Sequence, residues 1–80
     1  MPLMYLNLHE CGKVFVDENG QDYVDLDEAR AMAVTTAREL MSHEIRGGAL
    51  CLSCCIVIED SQRTEVLRVW FREAVTLSGL

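Results

Sequence analysis

Positive charge is scarce in this sequence. Thirteen acidic residues face seven basic ones, a formal charge of −6 over 80 residues. The only basic cluster is Arg63, Arg68 and Arg72. Nucleic-acid binders draw much of their affinity from neutralised phosphates, so no nucleic-acid partner is expected. Long apolar runs are missing too. The longest uncharged stretch, residues 47–58, is too short and too polar to span a bilayer, so no membrane association is expected. The opening Met1-Pro2-Leu3-Met4-Tyr5 lacks the basic flank and apolar run of a secretory signal, which makes the cytoplasm the expected location. Residues 1–80 contain no repeat, linker or low-complexity segment and read as one domain.

Catalytic signatures are equally absent. The chain has no Ser-His-Asp order, phosphate-binding glycine loop or dinucleotide fingerprint, so neither an enzyme nor a cofactor is expected. Pro2, if it became the amino terminus, would resemble the general base of tautomerase-type enzymes. Those run from their first strand straight into a helix, whereas here a hairpin intervenes. Asp17, Glu18, Asp22, Asp25, Asp27 and Glu28 lack the Asp-x-Asp-x-Asp-Gly loop of a calcium site and read as turn plus helix cap.

What is present is patterning. Residues 3–9 alternate, with Met4, Leu6 and Leu8 on one face and Tyr5, Asn7 and His9 on the other, the period of a half-buried strand. A turn at Glu10-Cys11-Gly12-Lys13 predicts a returning strand at Val14-Phe15-Val16, and Asn19-Gly20 predicts a second turn. Asp25 with Glu28 forms a capping-box-like pair opening a helix. Leu26, Ala29, Ala33, Ala37, Leu40 and Met41 fall on its buried stripe, and Gly47-Gly48 ends it. Residues 51–60 alternate again, then turn at 60–64 into a last strand. Its Leu67, Val69 and Phe71 face one side, and Val66, Arg68, Trp70 and Arg72 the other. The predicted architecture is two-layer α+β, β-β-α-β-β, with one helix on a four-stranded antiparallel sheet.

The four cysteines are expected to be reduced. Cys51-Leu52-Ser53-Cys54 has the spacing of a zinc knuckle or redox pair. On a strand, however, residues three apart point to opposite faces, and Cys51 and Cys55 lie about 13 Å apart. No metal site is therefore expected, with Cys54 in the core and Cys55 filling the outer face. His9, Glu10 and Cys11 cluster at the first turn, where they offer an adventitious metal site; the simpler reading is of solvated or hydrogen-bonded strand-end residues.

One helix covers one face of the sheet. The other face collects Tyr5, Asn7, His9, Cys55, Val57, Arg68, Trp70 and Arg72, which is apolar and aromatic for a solvated surface. Aromatic and arginine side chains anchor protein interfaces. The expected function is thus a non-enzymatic interaction or regulatory module. It self-associates as a homodimer or docks a protein partner through Tyr5, Asn7, His9, Val57, Arg68, Trp70 and Arg72. The competing expectation for this face is that the tail, residues 74–80, folds back over it. The alternative function is a metal-binding or redox-sensing protein using Cys51, Cys54, Cys55 and His9.

With these segments placed, the chain resembles a family of short bacterial proteins classed as a domain of unknown function. Its pattern is matched by Met1-Pro2, Tyr5, Asp17-Glu18-Asn19-Gly20, Asp25-Leu26, Ala29-Arg30 and Ala33. It continues through Ile56-Val57-Ile58-Glu59-Asp60, Val66-Leu67, Val69, Phe71 and Ala74. The resemblance covers nearly the whole chain and implies no activity, ligand or catalytic residue. Two departures stand out: the last hairpin turn, residues 60–64, lacks the family's glycine, and Cys51, Cys54 and Cys55 lie outside the pattern.

Overall fold

A computed structural model describes residues 2–79. Helix α1 (Leu26–Arg46) starts where the sequence predicts. The Asp25 carboxylate, on extended backbone, accepts the Glu28 N–H at 2.9 Å, pairing one of the first-turn donors that have no partner within the helix. At the other end Gly48 takes φ +86, and the Ala49 N–H returns to the Glu44 carbonyl at 3.1 Å. Ala29, Ala33, Ala37 and Met41 form the buried stripe, and the three methyl groups let the axis lie close to the sheet. Leu26 departs from the prediction. It is 36% exposed, and the core nearby is filled instead by Tyr23, which the alternation did not single out.

Strands β1 (Leu3–Glu10), β2 (Lys13–Phe15), β3 (Gln21–Asp22), β4 (Cys55–Glu59) and β5 (Glu65–Trp70) form an antiparallel sheet of order β2-β1-β4-β5. The two-layer α+β architecture is the predicted one, with the two-residue β3 added beside β1. Cross-strand pairs Leu6–Ile58–Leu67 and Leu8–Ile56–Val69 point toward α1 and make the core with Met4 and Phe71. β4 begins only at Cys55. Residues 51–54, predicted as its first half, are a bend.

β2 and β3 are two pieces of one interrupted edge strand. Between the paired ends, residues 5–7 of β1 face residues 16–20 of the returning chain, so the latter bulges away. The bulge leaves the Leu6 N–H without a ladder partner, and Asp17 supplies one. Its Oδ2 accepts from Leu6 N at 3.1 Å and its Oδ1 from Gly20 N at 2.9 Å. The Asp17 N–H in turn donates to Asn7 Oδ1 at 2.8 Å. Gly20 is required here, because its φ is +69 and an added Cβ would lie 2.9 Å from the Tyr5 ring.

After Trp70 the chain leaves the sheet through a 3-10 turn, Phe71–Glu73, so Arg72 lies beyond the strand on which the sequence placed it. Phe71 and Ala74 are buried, and Arg38 Nε donates to the Ala74 carbonyl at 2.7 Å. The segment following β5 therefore packs on the helix side. Ala74 and Val75 thus depart from the expectation that residues 74–80 cover the opposite face; Leu80 lies outside the described residues. Among the described residues no helix is long and apolar enough to cross a membrane.

Replacing Asp17 with Ala removes both side-chain acceptors at the bulge. The expected cost is about 2 kcal/mol in urea denaturation, the scale for hydrogen bonds to a charged group. Hydrogen exchange at the Leu6 and Gly20 amides should quicken selectively. Unchanged protection at Leu6 would show that Asp17 does not complete the ladder.

Candidate functional site

Two segments far apart in sequence meet at one end of the sheet. The first is the β1–β2 hairpin turn, whose central residues Cys11 and Gly12 both take positive φ, at 50° and 78°. A two-residue hairpin of this hand demands that geometry, and asparagine or glycine adopt it more readily than cysteine. The second is the bend at residues 51–54, held at both ends. The Cys51 N–H donates to Glu44 Oε2 at 2.8 Å, and the Phe71 N–H donates to the Cys54 carbonyl at 2.9 Å. The sulfurs of Cys11, Cys51 and Cys54 consequently lie within 4.8 Å of one another.

The bend reverses the sequence-based geometry for the cysteines. Cys51 and Cys54, predicted on opposite faces of a strand, share one side, and the Cys54 thiol donates to Cys51 Sγ at 2.7 Å. Cys54 is 1% exposed within the core, Cys51 is half-buried with Ser53 Oγ 3.4 Å from its sulfur, and Cys11 is exposed. The hydrogen bond from Cys54, aided by Ser53, lowers the Cys51 thiol to about 7. Burial, reinforced by Cys51, pushes Cys54 up to about 12. Cys11 is raised, chiefly by its hydrogen bond with Cys51. Among these described residues, one accessible sulfur is set to ionise and its buried neighbour to stay protonated.

Cys55 and His9 do not join this group. They pair across β1 and β4 on the face away from the helix, where Cys55 is 3% exposed and raised by burial. That outer face does collect the residues the sequence assigned to it. The register sets Tyr5 opposite Glu59, Asn7 opposite Val57 and His9 opposite Cys55, with Val57 also opposite Arg68 and Cys55 opposite Trp70. Its centre is closed, however, with Asn7 at 5% and Val57 at 3% exposure. Arg63, at φ +64, lays its guanidinium 3.4 Å from the Tyr5 ring centroid while bonding Glu59 and the Asp17 carbonyl. A left-handed arginine thus occupies the turn that lacks the family's glycine. Arg68 and Arg72 stand 5.6 and 4.8 Å from the half-buried Trp70 ring.

Two grooves flank the thiols and share Cys11. One, about 310 Å³, is lined by His9, Lys13, Val14, Cys55, Arg68 and Trp70. The other, about 340 Å³, is lined by Glu10, His43, Glu44, Leu50 and Cys51. The remaining candidates have structural roles. The Pro2 carbonyl accepts the Tyr23 N–H at 2.9 Å, Asp17 holds the bulge, and Asp25 caps α1. Sequence reasoning grouped Cys11 only with His9 and Glu10 and did not bring it to Cys51 and Cys54, which the structure does. The available signal was its place in a turn two residues beyond His9, on the strand that pairs with the chain following Cys54.

Residues 4–72 match the family model of a domain of unknown function, DUF6894. No curated protein and no solved structure matches the chain.

Alkylation of Cys51 by iodoacetamide should follow a midpoint near pH 7, below the roughly 8.5 of a free thiol. Labelling should slow as pH falls through that midpoint and Cys51 takes up its proton. Cys54 should stay unlabelled until the protein is denatured. Since the folded value is the depressed one, the stabilisation this contact gives is complete above the unfolded thiol's pKa and is lost as pH falls through 7. Mass mapping of timed pulses checks the order, and Cys54→Ala should move the Cys51 midpoint upward. A wild-type midpoint at or above that of a free thiol would contradict the role of the Cys54 hydrogen bond.

Proposed function

The chain belongs to the DUF6894 family, and from the thiol geometry we propose that it is a non-enzymatic redox-sensing module switched by Cys51 and Cys54. One observation carries this: the two sulfurs stand 2.7 Å apart in a held bend, against about 2.05 Å in a disulfide. Closing that gap needs less than an ångström, with the backbone anchored at Glu44 and Phe71. The chemistry is thiol–disulfide exchange with a low-molecular-weight disulfide. The Cys51 thiolate attacks one sulfur of that disulfide, forming a mixed disulfide and releasing one small thiolate. Cys54 then gives its proton to solvent and attacks the Cys51 sulfur, releasing the second. Two electrons leave the protein pair and reduce the small disulfide to two thiols.

A second reading, self-association, is supported by the rim of the outer face. Trp70 remains half-exposed between Arg68 and Arg72, with Lys13 and His9 on the adjoining groove. The chain's acidic residues concentrate between Asp17 and Glu28. A second copy would therefore bring a complementary acidic segment to that rim.

Equilibration in reduced and oxidised glutathione should yield an intramolecular Cys51–Cys54 disulfide, seen by mass as the loss of two hydrogens. Cys54→Ser should stop at a glutathione adduct on Cys51. Failure of the wild type to form that disulfide would overturn the redox assignment. Independently, the self-association reading predicts a salt-sensitive dimer in sedimentation that Trp70→Ser weakens at least tenfold. A wild-type monomer at high micromolar concentration and low salt would exclude it.

A further inference from the structure

The geometry points to a binding site for one univalent copper ion formed by the thiolates of Cys11, Cys51 and Cys54. This site shares two sulfurs with the proposed redox pair but depends on Cys11, which the disulfide does not need. Three ligands about 2.3 Å from a common ion stand roughly 4 Å from each other. The three sulfurs already fall within 4.8 Å, with Cys51 and Cys54 the pair that must open. Cys54 is packed in the core, whereas Cys51 is only half-buried and Cys11 exposed, so the two accessible side chains supply the adjustment.

The donor set selects the ion. All three donors are soft sulfurs, which suit univalent copper and zinc alike, so the number of ligands decides between them. A closed structural zinc site takes four ligands, and among the described residues no histidine, carboxylate or further cysteine joins this cluster. The groove lined by Cys11, Cys51, His43 and Glu44 gives an approach from solvent. Binding places three thiolates on the ion, so Cys11 and Cys54 release their protons to solvent, and Cys51 releases its own where it is still protonated.

A second observation is independent of the sulfur distances. Cys11 holds φ 50 in a turn that asparagine or glycine would occupy with less strain. Here the turn delivers the Cys11 thiol to the other two.

The test is anaerobic titration of the fully reduced protein with Cu(I) in competition with bicinchoninate. The wild type should withdraw one equivalent from the chelator. Cys11→Asn, which suits the left-handed turn, should lower the affinity at least tenfold while still forming the Cys51–Cys54 disulfide with oxidised glutathione. Cys11→Ser should behave the same way, and Cys55→Ser should bind as the wild type does. Circular dichroism confirms that each variant is folded. The proposal is overturned if no copper is withdrawn, if both Cys11 variants bind like the wild type, or if zinc competes equally for the three sulfurs. None of these outcomes bears on disulfide formation, so the copper site and the redox pair fail separately.

Discussion

The register of β1 against β4 governs both faces of this protein and the end where its thiols meet. It pairs Leu6 with Ile58 and Leu8 with Ile56 beneath the helix, and Asn7 with Val57 and His9 with Cys55 on the reverse. Carried two residues past His9 and Cys55, the same pairing sets Cys11 level with Ser53, within the 51–54 bend. A slip of one residue would turn the core side chains outward. It would also separate Cys11 from its two partners. Packing thus specifies the thiol cluster without any dedicated scaffold, because the register that buries isoleucine and leucine also sets the hairpin turn beside the bend.

The outer face is covered largely by its own neighbours. The Asp17 bulge lies against Asn7, whose Oδ1 accepts a hydrogen bond and so is not left unpaired in a closed position. Arg63 bridges from the last hairpin to the bulge across Tyr5, joining two turns through one guanidinium. A planar, weakly hydrated cation suits this place because it stacks on an aromatic ring and still donates at its edges. The closed centre rests on segments that also complete the β1 ladder at Leu6, so what stays partly exposed on this face is the Trp70 rim.

Much of the fold was legible in the sequence because each signal was local and repeated. Asp25 with Glu28 marked the helix start, alanines four apart marked its buried stripe, and strict alternation marked β1 and β5. The same logic put Tyr5 and Trp70 on one face. It failed where alternation had another cause. Cys51, Leu52, Ser53 and Cys54 continue the pattern of β4, yet they form a bend: the Glu44 carboxylate takes the Cys51 N–H, and only Cys54, whose carbonyl accepts from Phe71, keeps the β5 register. Both of those partners lie outside any local window. β3, two residues long, is too short for periodicity to register, and Asn7 carries no mark of burial in its own neighbourhood. The thiol cluster was hidden by the first of these errors, since a strand geometry forbids the contact that the bend creates.

Once the bend is in place, the two uses proposed for its sulfurs exclude each other. A disulfide requires Cys51 and Cys54 to close from 2.7 Å to about 2.05 Å, whereas ligands sharing an ion must open to roughly 4 Å. Oxidation would therefore withdraw two of the three proposed copper donors, and a bound ion would withhold from exchange the thiolate that begins it. The asymmetry of the pair determines which sulfur moves. Cys54 is fixed by burial and by the Phe71 N–H on its carbonyl, so closing and opening both fall to Cys51, on the solvent side. Cys11 would take part only in the open arrangement, and for that reason its position in a strained turn would separate the proposed metal binding from the proposed redox chemistry, in a cluster where the other two thiols would serve both.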